Sequence, residues 1–114
     1  MVKKIILSVL LSIGAFATVG GPDFYGVKGV DEGEHLNLRE KPTTKSEPLA
    51  YIPYNATCLK NLGCKGGISL HDFQILSEKE LAKKVKENPR WCKVEYNSIT
   101  GWAFGKFLME KSCP

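Results

Sequence analysis

The sequence is poor in the groups that do chemistry. It has two histidines, His35 and His71, both in segments that read as loops, and neither belongs to a Ser–His–Asp or Cys–His arrangement. His71 is followed by Asp72, but adjacent residues do not face each other well. Asp31, Glu32 and Glu34 crowd a Gly-containing turn, where solvation accounts for them, and Gly63, Gly66 and Gly67 lack the strand–loop–helix spacing of a phosphate-binding loop. No catalytic residue and no enzyme activity are therefore expected. No cysteine pair has the C-x(2–4)-C spacing of a structural zinc site, so neither a metal nor another cofactor is expected. No basic stripe with interleaved aromatics runs along the chain, which argues against a nucleic-acid partner. No apolar run reaches the roughly 20 residues of a spanning helix.

What is present begins with a leader. Lys3 and Lys4 precede the apolar stretch Ile5 to Ile13, and Ala15-Phe16-Ala17 supplies a small-x-small cleavage pattern. That order is the signature of a secretory signal peptide over residues 1–17, with an uncleaved anchor as the alternative; both export the domain. Cleavage leaves a soluble chain with no membrane segment, placed in the periplasm or outside the cell. Loss of Lys3 and Lys4 lowers the formal net charge from +4 to +2, too little to define a polyanionic partner. Residues 18–24 contain Gly and Pro and read as a flexible segment, and residues 25–114 as one domain.

Four cysteines, Cys58, Cys64, Cys92 and Cys113, remain in a small exported chain, which favours two disulfides. Three connectivities are possible and sequence does not choose among them. The expectation carried forward is Cys64 with Cys92, closing a segment between neighbouring strands, and Cys58 with Cys113, pinning the C-terminal tail.

Short segments with strand periodicity follow one another: Tyr25 to Val30, Leu36 to Arg39, Leu49 to Pro53, Ala56 to Leu62, Trp91 to Tyr96 and Ile99 to Phe104, the last two joined by a turn at Asn97-Ser98. This pattern predicts a mainly β small barrel or sandwich. The blocks Leu36-Asn37-Leu38-Arg39-Glu40-Lys41-Pro42, Leu49-Ala50-Tyr51-Ile52-Pro53, Trp91-Cys92-Lys93-Val94 and Thr100-Gly101-Trp102-Ala103 with Lys106-Phe107-Leu108 resemble, in this order, the signature elements of bacterial SH3 (SH3b) domains. The resemblance implies a small SH3-like β-barrel in which Leu36, Leu38, Val94 and Ala103 point inward, Asn37 and Arg39 brace the loop from the outside, and Gly101 permits close backbone approach.

Against that pattern, Lys65 to Arg90 stands as a short helical insertion between the third and fourth strands. Ser77 and Glu80 form a capping box, Leu76 and Leu81 a hydrophobic staple, Glu80 and Lys84 are spaced to pair, and Pro89 stops the helix, which predicts a helix over residues 78–87. Ser69 to Leu76 reads as a shorter helix or turn with Leu70, Phe73 and Leu76 facing the barrel. Two roles are open for the insert: a lid over apolar barrel surface, or an arm presenting Lys79, Lys83, Lys84 and Lys86 to a partner.

The aromatic residues Tyr25, Tyr51, Tyr54, Trp91, Trp102, Phe104 and Phe107 exceed what so small a core buries, so some are expected to line a groove for peptide or glycan. Tyr51, Tyr54 and Trp91 are the expected ligand-binding residues. The resemblance implies a monomeric binding domain for cell-wall peptide or peptidoglycan, or a domain that binds an envelope protein through the insert.

Overall fold

The computed structural model describes residues 21–114; the leader assigned to residues 1–17 and the start of the following segment lie outside the described residues. Seven strands are arranged in chain order as β1 (Phe24–Val27), β2 (His35–Arg39), β3 (Pro48–Pro53), β4 (Leu59–Lys65), β5 (Trp91–Tyr96), β6 (Ile99–Phe104) and β7 (Leu108–Glu110). They form one curled, half-barrel sheet with spatial order β3-β2-β6-β5-β4-β1-β7 and antiparallel neighbours throughout. Two helices, α1 (Leu70–Ile75) and α2 (Glu78–Glu87), lie between β4 and β5, and a single 3-10 turn (Gly105–Phe107) precedes β7.

Period-two alternation selects which face of the sheet is dry. Leu36, Leu38, Ile52, Leu59, Val94, Ala103 and Leu108 form the core with Tyr25, Val27, Ala56 and Cys92. Leu36 and Leu38 point inward as their alternation requires, and Val94 and Ala103 are fully buried. The β5–β6 hairpin turns at Asn97 and Ser98, whose φ angles of 51° and 67° are the two left-handed positions of a type I′ connection. Its register then runs without a slip from Tyr96 opposite Ile99 to Trp91 opposite Phe104. Gly101 is where β6 comes hard against β2: a Cβ there would lie 2.8 Å from the Arg39 carbonyl oxygen and from Leu38 Cγ.

The boundaries depart most from those the sequence predicts at the end of β1 and in β4. β1 ends at Val27; the Lys28 N–H still donates to the Phe107 carbonyl at 2.9 Å in the β1–β7 register, but Phe107 belongs to the 3-10 turn and the ladder goes no further. β4 runs from Leu59 to Lys65, beginning three residues later than expected, because Cys58 adopts a left-handed φ of 62° that no strand continues through. Pro22 and Asp23 are tied to Asn61, whose side-chain Nδ2 donates to the Pro22 carbonyl at 2.7 Å and whose backbone N–H donates to the Asp23 carbonyl at 2.9 Å.

The four cysteines form two disulfides, Cys58–Cys113 and Cys64–Cys92. The first fastens the C-terminal tail to the start of β4. The second joins residues directly opposite each other on β4 and β5, with the Tyr25 hydroxyl 3.2 Å from Cys64 Sγ. Loops of 55 and 28 residues correspond to roughly 4 kcal/mol of chain-entropy stabilisation each.

The helical segment does not cover the barrel. Neither helix has a buried residue, and Leu70 and Phe73, expected to face the sheet, are 75% and 66% exposed. The reason lies at the root of the segment, where the Gly67 N–H donates to the Asn88 carbonyl at 2.6 Å and Gly66 packs so tightly on the Pro89 carbonyl that no Cβ fits. This neck directs the pair outward instead of back over the sheet. Each helix is started by its own capping box, Ser69 with Asp72 and Ser77 with Glu80. The Glu80 carboxylate is committed to the Ser77 N–H, so Lys84 does not pair along its own helix but crosses to Asp72 on α1.

Three outcomes follow from these contacts. Gly101→Ala is expected to lower stability by about 1–3 kcal/mol in urea unfolding, through overpacking against Leu38 and Arg39. Ser98→Gly, at a left-handed turn position, is expected to raise it by about 0.5 kcal/mol. The Lys84 ammonium and the Ser69 N–H hold the Asp72 carboxyl down from 3.8 to about 2. A carboxyl depressed on folding contributes stability above its unfolded value that is lost as pH falls through the folded one. The helical circular-dichroism signal should therefore hold at pH 4 and fall towards pH 2, with a smaller pH dependence in Asp72→Asn.

Candidate functional site

The outer face of the sheet carries the side chains that the alternation excludes from the core. On it, neighbouring strands bring a row of residues into line. Asn37 lies opposite Tyr51 across β2 and β3, Trp91 opposite Phe104 across β5 and β6, and Lys65 opposite Trp91 across β4 and β5. β2 and β6 are bridged at Arg39 and Trp102 alone. Extending that antiparallel register by two residues sets Asn37 across from Phe104, and the row reads Tyr51, Asn37, Phe104, Trp91, Lys65. Where the two strands part beyond their bridge, the surface opens into a trough.

Two adjoining hollows make up this trough and share Thr44, Trp91 and Phe104. One, of about 300 Å³, lies over β2 and includes Asp31, Glu34, His35, Asn37, Arg39 and Phe107 in its lining. The other, of about 450 Å³, extends to Lys65, Gly66, Asn88 and Pro89 at the neck of the helical pair. Trp91 is 7% exposed although it is not part of the core cluster; its cover comes from the outer face. Its ring lies 5.0 Å from that of Phe104, which lies 5.9 Å from that of Phe107, so the floor is a continuous aromatic chain of tilted rings.

The wall formed by residues 40–47 is braced as well as positioned. Arg39 Nη1 donates to the Ser46 carbonyl at 2.8 Å, the Lys41 N–H donates to Ser46 Oγ at 2.9 Å, and the Glu40 N–H donates to the Glu47 carbonyl at 3.1 Å. Arg39 is thus spent on the loop. The guanidinium keeps its charge: among the described residues the one ion pair is Asp72–Lys84, which leaves Asp31, Glu34 and Arg39 at one end and Lys65 at the other without a salt-bridge partner. Lys65 Nζ stands 5.6 Å from the Trp102 ring. Asn37 Oδ1 is enclosed and has no hydrogen-bond partner among the described residues. A donor supplied there would recover about 1–3 kcal/mol.

Of the residues singled out from sequence, Trp91 lines both hollows. Tyr51 is 62% exposed and stands at the rim, its ring 4.2 Å from that of His35. Tyr54 sits in the turn after β3 and lines neither hollow. The sequence reading did not single out Asn37, Phe104 or Lys65 as ligand contacts. Phe104 was within reach of it, since counting outward from Asn97-Ser98 pairs Trp91 with Phe104. A further hollow of about 540 Å³ opens where residues 21–24 meet 110–113, but Phe24 is its sole aromatic and it has no such row.

Among the described residues no group of His, Cys, Asp and Glu is gathered as a metal site, and no helix is long and apolar enough to cross a membrane. The physical role of Trp91 predicts that Trp91→Ala costs about 3 kcal/mol or more in urea unfolding, whereas Trp91→Leu, which keeps apolar volume, costs about half as much. Compared with known proteins, the chain matches no family model, no curated protein and no solved structure.

Proposed function

We propose that this chain is an exported, non-catalytic binding domain of the bacterial SH3 type that recognises short peptides of the cell wall through the outer-face trough. One observation carries the reading: a row of aromatic and polar side chains, from Tyr51 to Lys65, crosses an opening in the sheet and is bounded by a braced loop. Flat rings offer stacking surface to a peptide plane or aliphatic side chain at little entropic cost, and the polar margin fixes orientation. Peptidoglycan stem peptides present that mixture of small apolar groups, amides, amines and carboxylates. Export is supported by the charged and apolar leader with its cleavage triplet and by the two disulfides, which persist in oxidising compartments.

A second reading draws on a separate observation. Leu70, Phe73 and Ile75 are 75%, 66% and 61% exposed on the outward helical pair, a surface suited to an envelope protein partner. The two readings use different parts of the molecule and separate experimentally.

The test is co-sedimentation of purified residues 18–114 with isolated sacculi. The protein is expected to pellet with sacculi. Tyr51→Ala, at an exposed site, and Trp91→Leu should reduce the bound fraction at least threefold, while a Leu70→Ser/Phe73→Ser variant binds as the parent does. Sedimentation no greater than that of a control protein removes the wall reading, and loss of binding in the helical variant alone transfers the role to the helices.

A further inference from the structure

The trough has electrical direction. Asp31 and Glu34 stand at the β2 end and Lys65 at the β4 end, with Trp91 and Phe104 on the floor between them. Lys106 approaches the Phe107 ring, its Nζ 5.9 Å from the centroid, but it does not line the trough. Arg39, the other cation in the lining, donates to the Ser46 carbonyl but keeps its charge, so the β2 end carries the Asp31 and Glu34 carboxylates against one guanidinium and stays net negative. The two ends therefore carry net charges of opposite sign, negative at β2 and positive at β4, while the middle is apolar apart from the enclosed Asn37 oxygen.

The length of the trough follows from the sheet. From β2 through β6 and β5 to β4 there are three inter-strand steps. At about 4.8 Å each, and more where β2 and β6 part, they set roughly 14 Å as the least distance between Asn37 and Lys65, with Asp31 and Glu34 on the loop before β2. An extended peptide covers about 3.3–3.6 Å per residue, so at least about four residues are needed to bridge the two charged ends.

We propose that the trough binds an extended peptide of at least about four residues in one direction, with an ammonium group against Asp31 and Glu34 and a free carboxylate against Lys65. This inference rests on the trough being the peptide site. It adds to that reading the ligand's minimum length, its two terminal charges and its orientation. A ligand bound the other way places like charges together at both ends, so direction is selected by repulsion as well as by attraction.

The experiment is a titration of the ¹⁵N-labelled protein (residues 18–114) with four probes: tetra-alanine with free ends, its N-acetylated form, its C-amidated form, and free dialanine. Tetra-alanine is expected to shift the Trp91, Phe104 and Asn37 resonances. Each cap should weaken binding about three- to tenfold, as should shortening to the dipeptide. In Lys65→Gln the effect of C-amidation should vanish while that of N-acetylation remains; in Asp31→Asn/Glu34→Gln the pattern should reverse. Lys65, Asp31 and Glu34 are exposed, so these variants retain the fold. If capped and free tetrapeptides bind equally well at the same resonances, the polarity is wrong and the trough remains a peptide site. If cap effects survive in both variants, the assigned ends are wrong. If no probe shifts the trough resonances, the peptide-site reading and this inference fall together.

Discussion

The pairing of β4 with β5 at Cys64 and Cys92 is the constraint on which the rest of the structure depends. A disulfide between directly opposed residues fixes the register of the Cys64–Lys65 half of β4, which a bulge between Asn61 and Cys64 offsets by one residue from the Lys60–Asn61 half. With that register set, Cys92 enters the core while Trp91 and Lys65, the next pair along, are delivered side by side to the outer face. The uninterrupted β5–β6 hairpin then carries the same row on to Phe104. One covalent cross-link at the base of an excursion thus places Cys92 in the core and sets the floor of the trough.

The same junction isolates the helical pair from the barrel. Its stability is local, coming from two capping boxes and the Asp72–Lys84 ion pair. Exposed ion pairs and caps contribute modestly. The covalent closure at its root and the Gly66–Pro89 contact hold the two ends of the segment together, so little entropy remains to be lost when the helices form. Barrel and helices consequently respond to different variables, the first to packing and oxidation, the second also to acid.

Features governed by near neighbours were legible in the sequence. Ser77 and Glu80 predict α2 over residues 78–87, and the helix occupies those residues because its caps act within one turn. Asn97-Ser98 marks the tight turn, and the alternation of Leu36 to Arg39 assigns Leu36 and Leu38 to the interior. Features set by distant contacts were not legible. The start of β4 depends on the left-handed Cys58, held by a partner 55 residues away. Amphipathicity suggested that Leu70 and Phe73 would cover the sheet, but their placement is decided by the backbone geometry of the neck. The trough arises where β2 and β6 part beyond the Arg39–Trp102 bridge, and nothing in either strand's own pattern marks that parting. Trp91 and Tyr51 were found as aromatic surplus, whereas Asn37 and Lys65 have significance only once strand order is known.

The most direct test of this account is non-reducing peptide mapping of the purified, native chain by mass spectrometry. The account predicts two linked fragment pairs, Cys64 with Cys92 and Cys58 with Cys113, and no alkylatable thiol. Recovery of Cys64 linked to Cys58 or Cys113, or of four free thiols in the folded protein, would contradict the register from which the floor of the trough is derived.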